Sequence, residues 1–162
     1  MSKHSVCGIG KLFNIDSIVF NWQRFHMNAL AIHLVLHGTL VLMVSLFGGL
    51  LLYRVLLKDK NPATWHLVHA GGTVRGVLLI ALAAIIPLLG LPLSQVSLFV
   101  CLMIISIWAS MVAMILAAVS GERGLRLTGS IANKLVYLFY AVHIVTIFPA
   151  VFLLIYGLLK AV

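Results

Sequence analysis

The run WHLVHAGGTVRGVLLIALAAIIPLLGLP, residues 65–92, decides the fold of this chain. From Trp65 to Leu89 it carries one permanent charge, Arg75, and is otherwise apolar, small or weakly polar. At a rise of ~1.5 Å per residue, a helix of this length crosses about 30 Å of hydrocarbon. Because backbone polar groups in lipid must be satisfied within the segment, the run predicts a transmembrane helix that ends at the turn Gly90-Leu91-Pro92.

Three further apolar runs of similar length accompany this one. The 162 residues are 63% hydrophobic and only 9% charged, and a soluble domain of this size could not bury so much apolar surface. We therefore predict an all-α, polytopic membrane protein, a bundle of four transmembrane helices. The predicted spans cover about residues 32–53, 65–89, 94–119 and 134–159.

The N-terminal residues differ from the spans because they are polar and mixed. In residues 15–26, apolar side chains recur at helical spacing opposite Asp16, Asn21 and Arg24. This pattern is typical of an amphipathic helix that lies in the membrane interface. We expect an N-terminal arm with this interfacial helix over residues 1–28 and the transmembrane domain over residues 29–162.

The chain is basic, with a formal net charge of +8. No cluster of lysine and arginine carries interleaved aromatic residues on a polar face, as a nucleic-acid interface would. The expected partners of the basic residues are anionic lipid head groups at the helix ends.

Small residues recur at every fourth position in two spans, a pattern that favours close helix packing within one chain or between copies. A homo-oligomer is therefore expected as one use of these stripes. They are Gly72 and Gly76 in the second span, and Ala109, Ala113 and Ala117 in the third.

His69 is the strongest candidate for a metal ligand. Neutral imidazole binds iron and other transition metals, and facing helices of a bundle can hold haem. Gly72 and Gly76 follow on the same side of the helix and predict a shelf on which a flat macrocycle could lie. An equally open alternative is that His69 binds no metal and only forms a hydrogen bond with a backbone carbonyl of a neighbouring helix.

Two pairs of histidines are alternative metal sites. His66 with His69, and His33 with His37, have the spacing of residues on one helix face. Neither pair has a third ligand at a suitable spacing, so interfacial solvation of these side chains is the favoured interpretation.

Arg75 is a charge that needs a partner. A guanidinium does not deprotonate, so inside the membrane it requires an anion, carbonyls or water. The chain has only three acidic residues, and all lie near predicted span ends. A cofactor propionate, a polar substrate or an aqueous cleft would each satisfy Arg75, whereas its position about six residues, or ~9 Å, beyond His69 disfavours snorkelling to the head groups.

Further polar residues in the third and fourth spans could line the same cavity, although serine in a span usually bonds its own helix. There is no Ser/His/Asp arrangement, paired carboxylate, P-loop or CxxC motif, so carboxylate acid-base enzymology is not expected. The candidate lining residues are Ser106, Trp108, Ser110, Tyr137, Tyr140 and His143.

The second span resembles that of the styrene oxide isomerases, small four-span bacterial membrane enzymes. The resemblance rests on Trp65-His66-Leu67-Val68-His69-Ala70-Gly71 and continues through Gly76 to Ile86-Pro87-Leu88-Leu89-Gly90. It extends to His37-Gly38, Trp108 and Arg123-Gly124-Leu125, and so covers roughly residues 35–125, fading in the fourth span.

The resemblance implies a trimer that holds haem b through His69 and uses ferric iron as a Lewis acid to isomerise a small apolar epoxide. On this interpretation Arg75 is the catalytic residue, and Trp108, Ser110 and Met114 line the substrate pocket. The implied location is the bacterial inner membrane. Where this sequence has Arg75 and Met114, the family has an asparagine and a tyrosine, so a cation replaces a neutral amide and a thioether replaces a hydroxyl.

Two other functions remain open from the sequence. One is a b-type cytochrome subunit that exchanges electrons with a quinone, with His143 or Met114 as the second axial ligand of the haem. The other is a cofactor-free membrane scaffold or carrier, in which the histidines and Arg75 serve a polar cleft.

Overall fold

The computed structural model describes the backbone of residues 15–58 and 61–162, and within these ranges the chain forms four long helices and no strand. Each helix is long and apolar enough to cross a membrane. The predicted all-α, four-span fold is confirmed: the second, third and fourth predicted spans each match one helix to within a few residues, and the first lies inside a longer helix. The helices are α1 (Ile15–Leu56), α2 (Ala63–Ile85, extended by a 3-10 turn over Ile86–Leu88), α3 (Leu93–Ser120) and α4 (Ile131–Ala161).

Helix α1 differs from the prediction at its N-terminal end. The sequence predicted an interfacial helix over residues 15–26 and a separate first span, but the structure has one helix of 42 residues. No glycine or proline lies between Ile15 and His37, so nothing interrupts the backbone hydrogen bonds. At ~1.5 Å per residue the helix exceeds the hydrocarbon thickness, and its N-terminal part extends beyond the span. Residues 1–14 of the predicted arm lie outside the described residues.

The ends of the inner helices follow from local sequence. Helix α2 begins at Ala63, and the side-chain oxygen of Asn61 accepts a hydrogen bond from the Ala63 N–H at 3.0 Å. Thr64 is therefore the second residue of the helix. Helix α3 ends at Gly121, whose φ of 74° lies in the left-handed region that favours glycine.

The helices form two hairpins, α1 with α2 and α3 with α4, which meet through α3. Helix α3 is the central element and is far more deeply buried in the chain than α4. The core lies around α3, where Phe99, Ile107 and Met111 are almost fully buried. Helix α4 packs mainly on α3 and leaves its other faces to lipid or to another subunit.

Two glycines bring the backbones of α1 and α2 into contact. A Cβ atom added to Gly76 would lie 2.8 Å from the carbonyl oxygen of Gly38, and one added to Gly38 would lie 2.7 Å from the carbonyl oxygen of Gly76. Small residues permit this close crossing. The stripe of small residues in α2 is therefore used for packing within the chain.

Asn133 organises the connection between α3 and α4. Its side-chain oxygen accepts a hydrogen bond from the Gly124 N–H at 2.9 Å, and its amide group donates to the carbonyls of Arg126 and Thr128, both at 2.7 Å. Gly124 has a φ of 62° and packs directly against Val136 of α4. The connection is thus held over the first turns of α4.

Candidate functional site

His69 is fixed between α1 and α2 by a reciprocal pair of hydrogen bonds with Ser45. The His69 Nδ1–H donates to the Ser45 carbonyl at 2.9 Å, and the Ser45 hydroxyl donates to the His69 carbonyl at 2.5 Å. The hydroxyl of Thr73 donates to the same carbonyl at 2.8 Å. Because a carbonyl oxygen only accepts, Nδ1 carries the proton and Nε2 keeps its lone pair.

The Nε2 atom of His69 is available to a ligand. In residues 15–58 and 61–162 it has no hydrogen-bond partner, and it is not among the unpaired atoms that protein encloses. The ring packs against Gly49, where an added Cβ would lie 2.9 Å from Nδ1. A carbonyl-bound Nδ1–H with an open Nε2 is the usual state of an axial histidine. The ring therefore fits haem ligation, and its bond to a neighbouring carbonyl is part of the same arrangement.

Gly72 and Gly76 do not form the shelf that the sequence predicted beside His69. A Cβ added to Gly72 would lie 2.9 Å from the Cβ of Ser45 and 3.0 Å from the Cε of Met111. The side of Gly76 is filled by α1, as described above. Small residues serve tight helix crossings and open shelves alike, and here neighbouring helices occupy the space.

Arg75 lies on a different face of α2 from His69. Six residues separate the two, which rotates their side chains about 120° apart around the helix. The Nη1 atom of Arg75 donates to the Gly71 carbonyl at 3.0 Å. The Sδ atom of Met114 lies 3.2 Å from the position of a Cβ built on the same glycine, so Met114 of α3 packs beside Arg75.

The guanidinium of Arg75 lies within electrostatic range of two residues of α4, Tyr140 and His143. We call these three residues the polar cleft. It joins α2 to α4, two helices that otherwise pack little against each other. Tyr140 and His143 also border a cavity of about 460 Å³ that reaches Arg123 in the connection after α3.

His143 is held to α3 in the way that His69 is held to α1. Its Nδ1 lies 3.1 Å from the carbonyl and 2.7 Å from the hydroxyl of Ser106, and that hydroxyl donates to the His143 carbonyl at 3.3 Å. The carbonyl partner assigns the proton to Nδ1, so Nε2 again keeps its lone pair. The two hairpins thus repeat one serine–histidine arrangement.

A family profile described as styrene oxide isomerase matches residues 30–159, most of the chain. This protein belongs to the styrene oxide isomerase family. The match runs through α4, so the relationship extends further than the resemblance seen in the sequence, which fades after about residue 125. No curated protein matches the chain.

In this styrene oxide isomerase family member, only one of three predicted pocket residues, Met114, lies beside Arg75. Trp108 points to α1, where its indole N–H donates to Nδ1 of His37 at 3.1 Å. Ser110 is fully buried and donates to a carbonyl of its own helix at 2.9 Å. Within one chain the structure thus places Met114, but neither Trp108 nor Ser110, beside Arg75, because α3 is central and its side chains face different neighbours.

The bond from Trp108 also sets the state of His37. Its Nδ1 accepts a hydrogen bond, so the neutral ring carries its proton on Nε2 and offers no lone pair there. Within the described residues, no third His, Cys, Asp or Glu side chain joins His33 with His37, or His66 with His69, in a group that could hold a metal ion.

Neither the role of Ser45 nor the pairing of Ser106 with His143 was predicted from the sequence. Each serine lies 24 or 37 residues from its histidine, so no local spacing links them. The sequence signal that could have identified them is that both serines interrupt long apolar runs. In the structure both are fully buried.

Proposed function

We propose that this styrene oxide isomerase family member is a haem b-dependent membrane isomerase that converts apolar epoxides into carbonyl compounds. The observation that supports it best is the ring of His69, with its Nδ1–H bound to the Ser45 carbonyl and its Nε2 open at the chain surface. Such a carbonyl bond orients a ligating imidazole and raises its basicity.

His69 would hold haem at this position, and the ferric iron would supply Lewis-acid chemistry for opening an epoxide. The rearrangement needs no oxidant or reductant: one ring C–O bond breaks, a hydrogen moves with its electron pair to the neighbouring carbon, and a C=O bond forms. The protein's part is to exclude water with apolar helices and to orient the substrate. No carboxylate base is required, in agreement with acidic residues that all lie near or beyond the span ends.

His69 and Arg75 face different sides of α2, so a site that uses both requires a second copy of the chain. The trimer implied by the family resemblance provides one, if His69 of one subunit lies beside the polar cleft of its neighbour. Closed cyclic symmetry then repeats the same site at every interface. The location proposed from the resemblance is the bacterial inner membrane.

The haem content of the detergent-purified protein tests this function. Absorption spectra and a pyridine haemochrome assay should give about one b haem per chain in the wild type. We expect His69→Ala to remove the haem. His143→Ala is the matched control, since His143 has the same serine bonds on another hairpin, and it should retain haem. Wild-type haem content in His69→Ala would overturn the assignment.

The same spectrum separates the other two functions. A high-spin or water-bound ferric spectrum supports the isomerase, a low-spin spectrum that responds to quinol indicates a b-type cytochrome, and colourless protein expressed with ample haem indicates a scaffold or carrier. The packing disfavours Met114 as a second axial ligand in the same chain. Met114 contacts Gly71, which lies almost opposite His69 around α2.

A further inference from the structure

We propose that the polar cleft binds a carboxylate, and that the substrates of this protein are apolar epoxides that carry a carboxylate group. The reaction in this inference rests on the proposed isomerase function. The carboxylate site itself is a separate claim, because it depends on Arg75 and not on His69.

The first observation is the set of unused donors on Arg75. A guanidinium has five N–H donors, and the one contact of Arg75 to a protein acceptor within the described chain is to the Gly71 carbonyl. Its other nitrogen atoms are not among the enclosed unpaired atoms, so they face accessible space. A permanent cation near the middle of a membrane is strongly unfavourable without an anion or water.

The second observation is that the side chains described in the structure supply no anion to Arg75. No described residue forms an ion pair with Arg75, and the interaction of its charge with other side chains is with Tyr140 and His143. The carboxylate of Glu122 is already bonded to the Ser130 hydroxyl at 2.7 Å in the connection after α3. A bound anion would supply the counter-charge that these residues do not.

A carboxylate matches this site better than other anions. Its two oxygens accept the parallel N–H groups of a guanidinium, and the Tyr140 hydroxyl adds a donor from α4. A phosphate group would bring up to two charges to one guanidinium at this depth and retain more of its hydration. The single cation of the polar cleft thus selects a singly charged, planar group.

The cavity that Tyr140 and His143 border, on the side of these residues away from α2, accommodates the rest of such a molecule, although Arg75 itself does not line it. Its volume of about 460 Å³ lies in the range of small-molecule sites. Tyr137, Ala141 and Ile144 give it aromatic and aliphatic walls, and Arg123 lies at its end near the connection. A second cation there attracts anionic ligands toward the cavity.

A carboxylate at Arg75 can come from two sources, the substrate or a haem propionate. The chemistry at the guanidinium is the same, but the consequences differ. A propionate would make haem retention depend on Arg75. A substrate carboxylate would leave haem content unchanged and make only ligand selectivity depend on Arg75.

The experiment compares styrene oxide with its para-carboxylate derivative as substrates, and measures binding of unreactive 4-ethylbenzoate by calorimetry. We expect the wild type to prefer the carboxylated epoxide in kcat/KM by about ten- to a hundredfold, the scale of charge-assisted hydrogen bonds. Arg75→Asn should lose that preference and bind 4-ethylbenzoate correspondingly more weakly. Arg126→Asn removes an exposed arginine outside the cavity and should match the wild type.

Arg75→Lys keeps the positive charge but loses the paired N–H donors of the guanidinium, and it serves as a control for a folding defect. It should bind 4-ethylbenzoate with an affinity between those of the wild type and Arg75→Asn. Equal binding by wild type and Arg75→Asn would overturn the inference. So would a wild type that does not bind 4-ethylbenzoate while Arg75→Asn loses its haem, since that result assigns Arg75 to a propionate. Arginine-dependent binding of 4-ethylbenzoate without turnover of either epoxide would overturn the isomerase function and support the carboxylate site.

Discussion

At the scale of single residues, three histidines in the membrane are set in defined protonation patterns by the partners of their Nδ1 atoms. His69 and His143 donate to serine carbonyls, whereas His37 accepts from Trp108. Two of the three rings thus offer an Nε2 lone pair and one does not. The sequence identified His69 as the ligand candidate from its depth and neighbours, but the state of each ring depends on residues from other helices, which local spacing does not reveal.

The Ser45 hydroxyl and the Ser45 carbonyl contribute different things to His69. Ser45→Ala removes the hydroxyl bond to the His69 carbonyl but leaves the backbone carbonyl that holds Nδ1. We expect a loss of about 0.5–1.5 kcal/mol in the free energy of unfolding with haem content retained. Thermal unfolding in detergent measures the first quantity, and the haemochrome assay measures the second.

Thr39→Ala is the control for that variant, because the Thr39 hydroxyl bonds only to its own helix at an exposed position. It should unfold close to the wild-type temperature. If Ser45→Ala lost its haem, the hydroxyl rather than the carbonyl would be the group that orients His69.

At the scale of helices, the sequence predicted the number and the approximate positions of the spans, which depend on the length and hydropathy of each apolar run. The four spans are correct because a run of about twenty apolar residues has one stable form in lipid. The residues predicted to form an interfacial helix continue into the first span as one helix, because polar residues indicate where a helix leaves the hydrocarbon but do not end it. The shelf at Gly72 was wrong for a related reason, since a small residue does not indicate whether a helix or a ligand lies against it.

The crossing of α1 and α2 should be the most sensitive point of the first hairpin. Gly76→Ala places a methyl group 2.8 Å from the Gly38 carbonyl oxygen and 2.6 Å from Leu42, so the helices must separate. We expect a net loss of about 1–3 kcal/mol of stability, even though alanine favours a helix over glycine by about 1 kcal/mol. Ala84→Val adds bulk at an exposed position of the same helix. Thermal unfolding of this control should stay near wild type; an equal loss in both variants would contradict the crossing as the cause.

At the scale of the whole molecule, the two candidate residues face apart in one chain, a result that the sequence did not predict. Residues six apart seemed to belong to one cavity when only depth was considered. Rotation around α2 places His69 against α1 and Arg75 toward α4. The depth of a residue in the membrane follows from its position in the span, whereas the neighbour that its side chain faces depends on which helices pack on either side.

The proposed site between two subunits predicts complementation. Co-expression of His69→Ala and Arg75→Asn chains should restore turnover of the carboxylated epoxide to about a quarter of wild type, because random mixing leaves that share of interfaces with both residues intact. Each variant expressed alone should be nearly inactive on this substrate. Activity in the mixture no higher than in the separate variants would place both residues in a site within one subunit.

The construction from two hairpins also bears on how the chain is made. Each hairpin pairs its buried serine with its own histidine, Ser45 with His69 and Ser106 with His143. Neither imidazole therefore needs a segment outside its own hairpin to form its hydrogen bonds. Arg75 is different, because the groups that face it across the bundle, Tyr140 and His143, are synthesised last. As the ribosome delivers the helices in order, the first histidine is set in place by the first hairpin, and the polar cleft closes only when the final helix has entered the membrane.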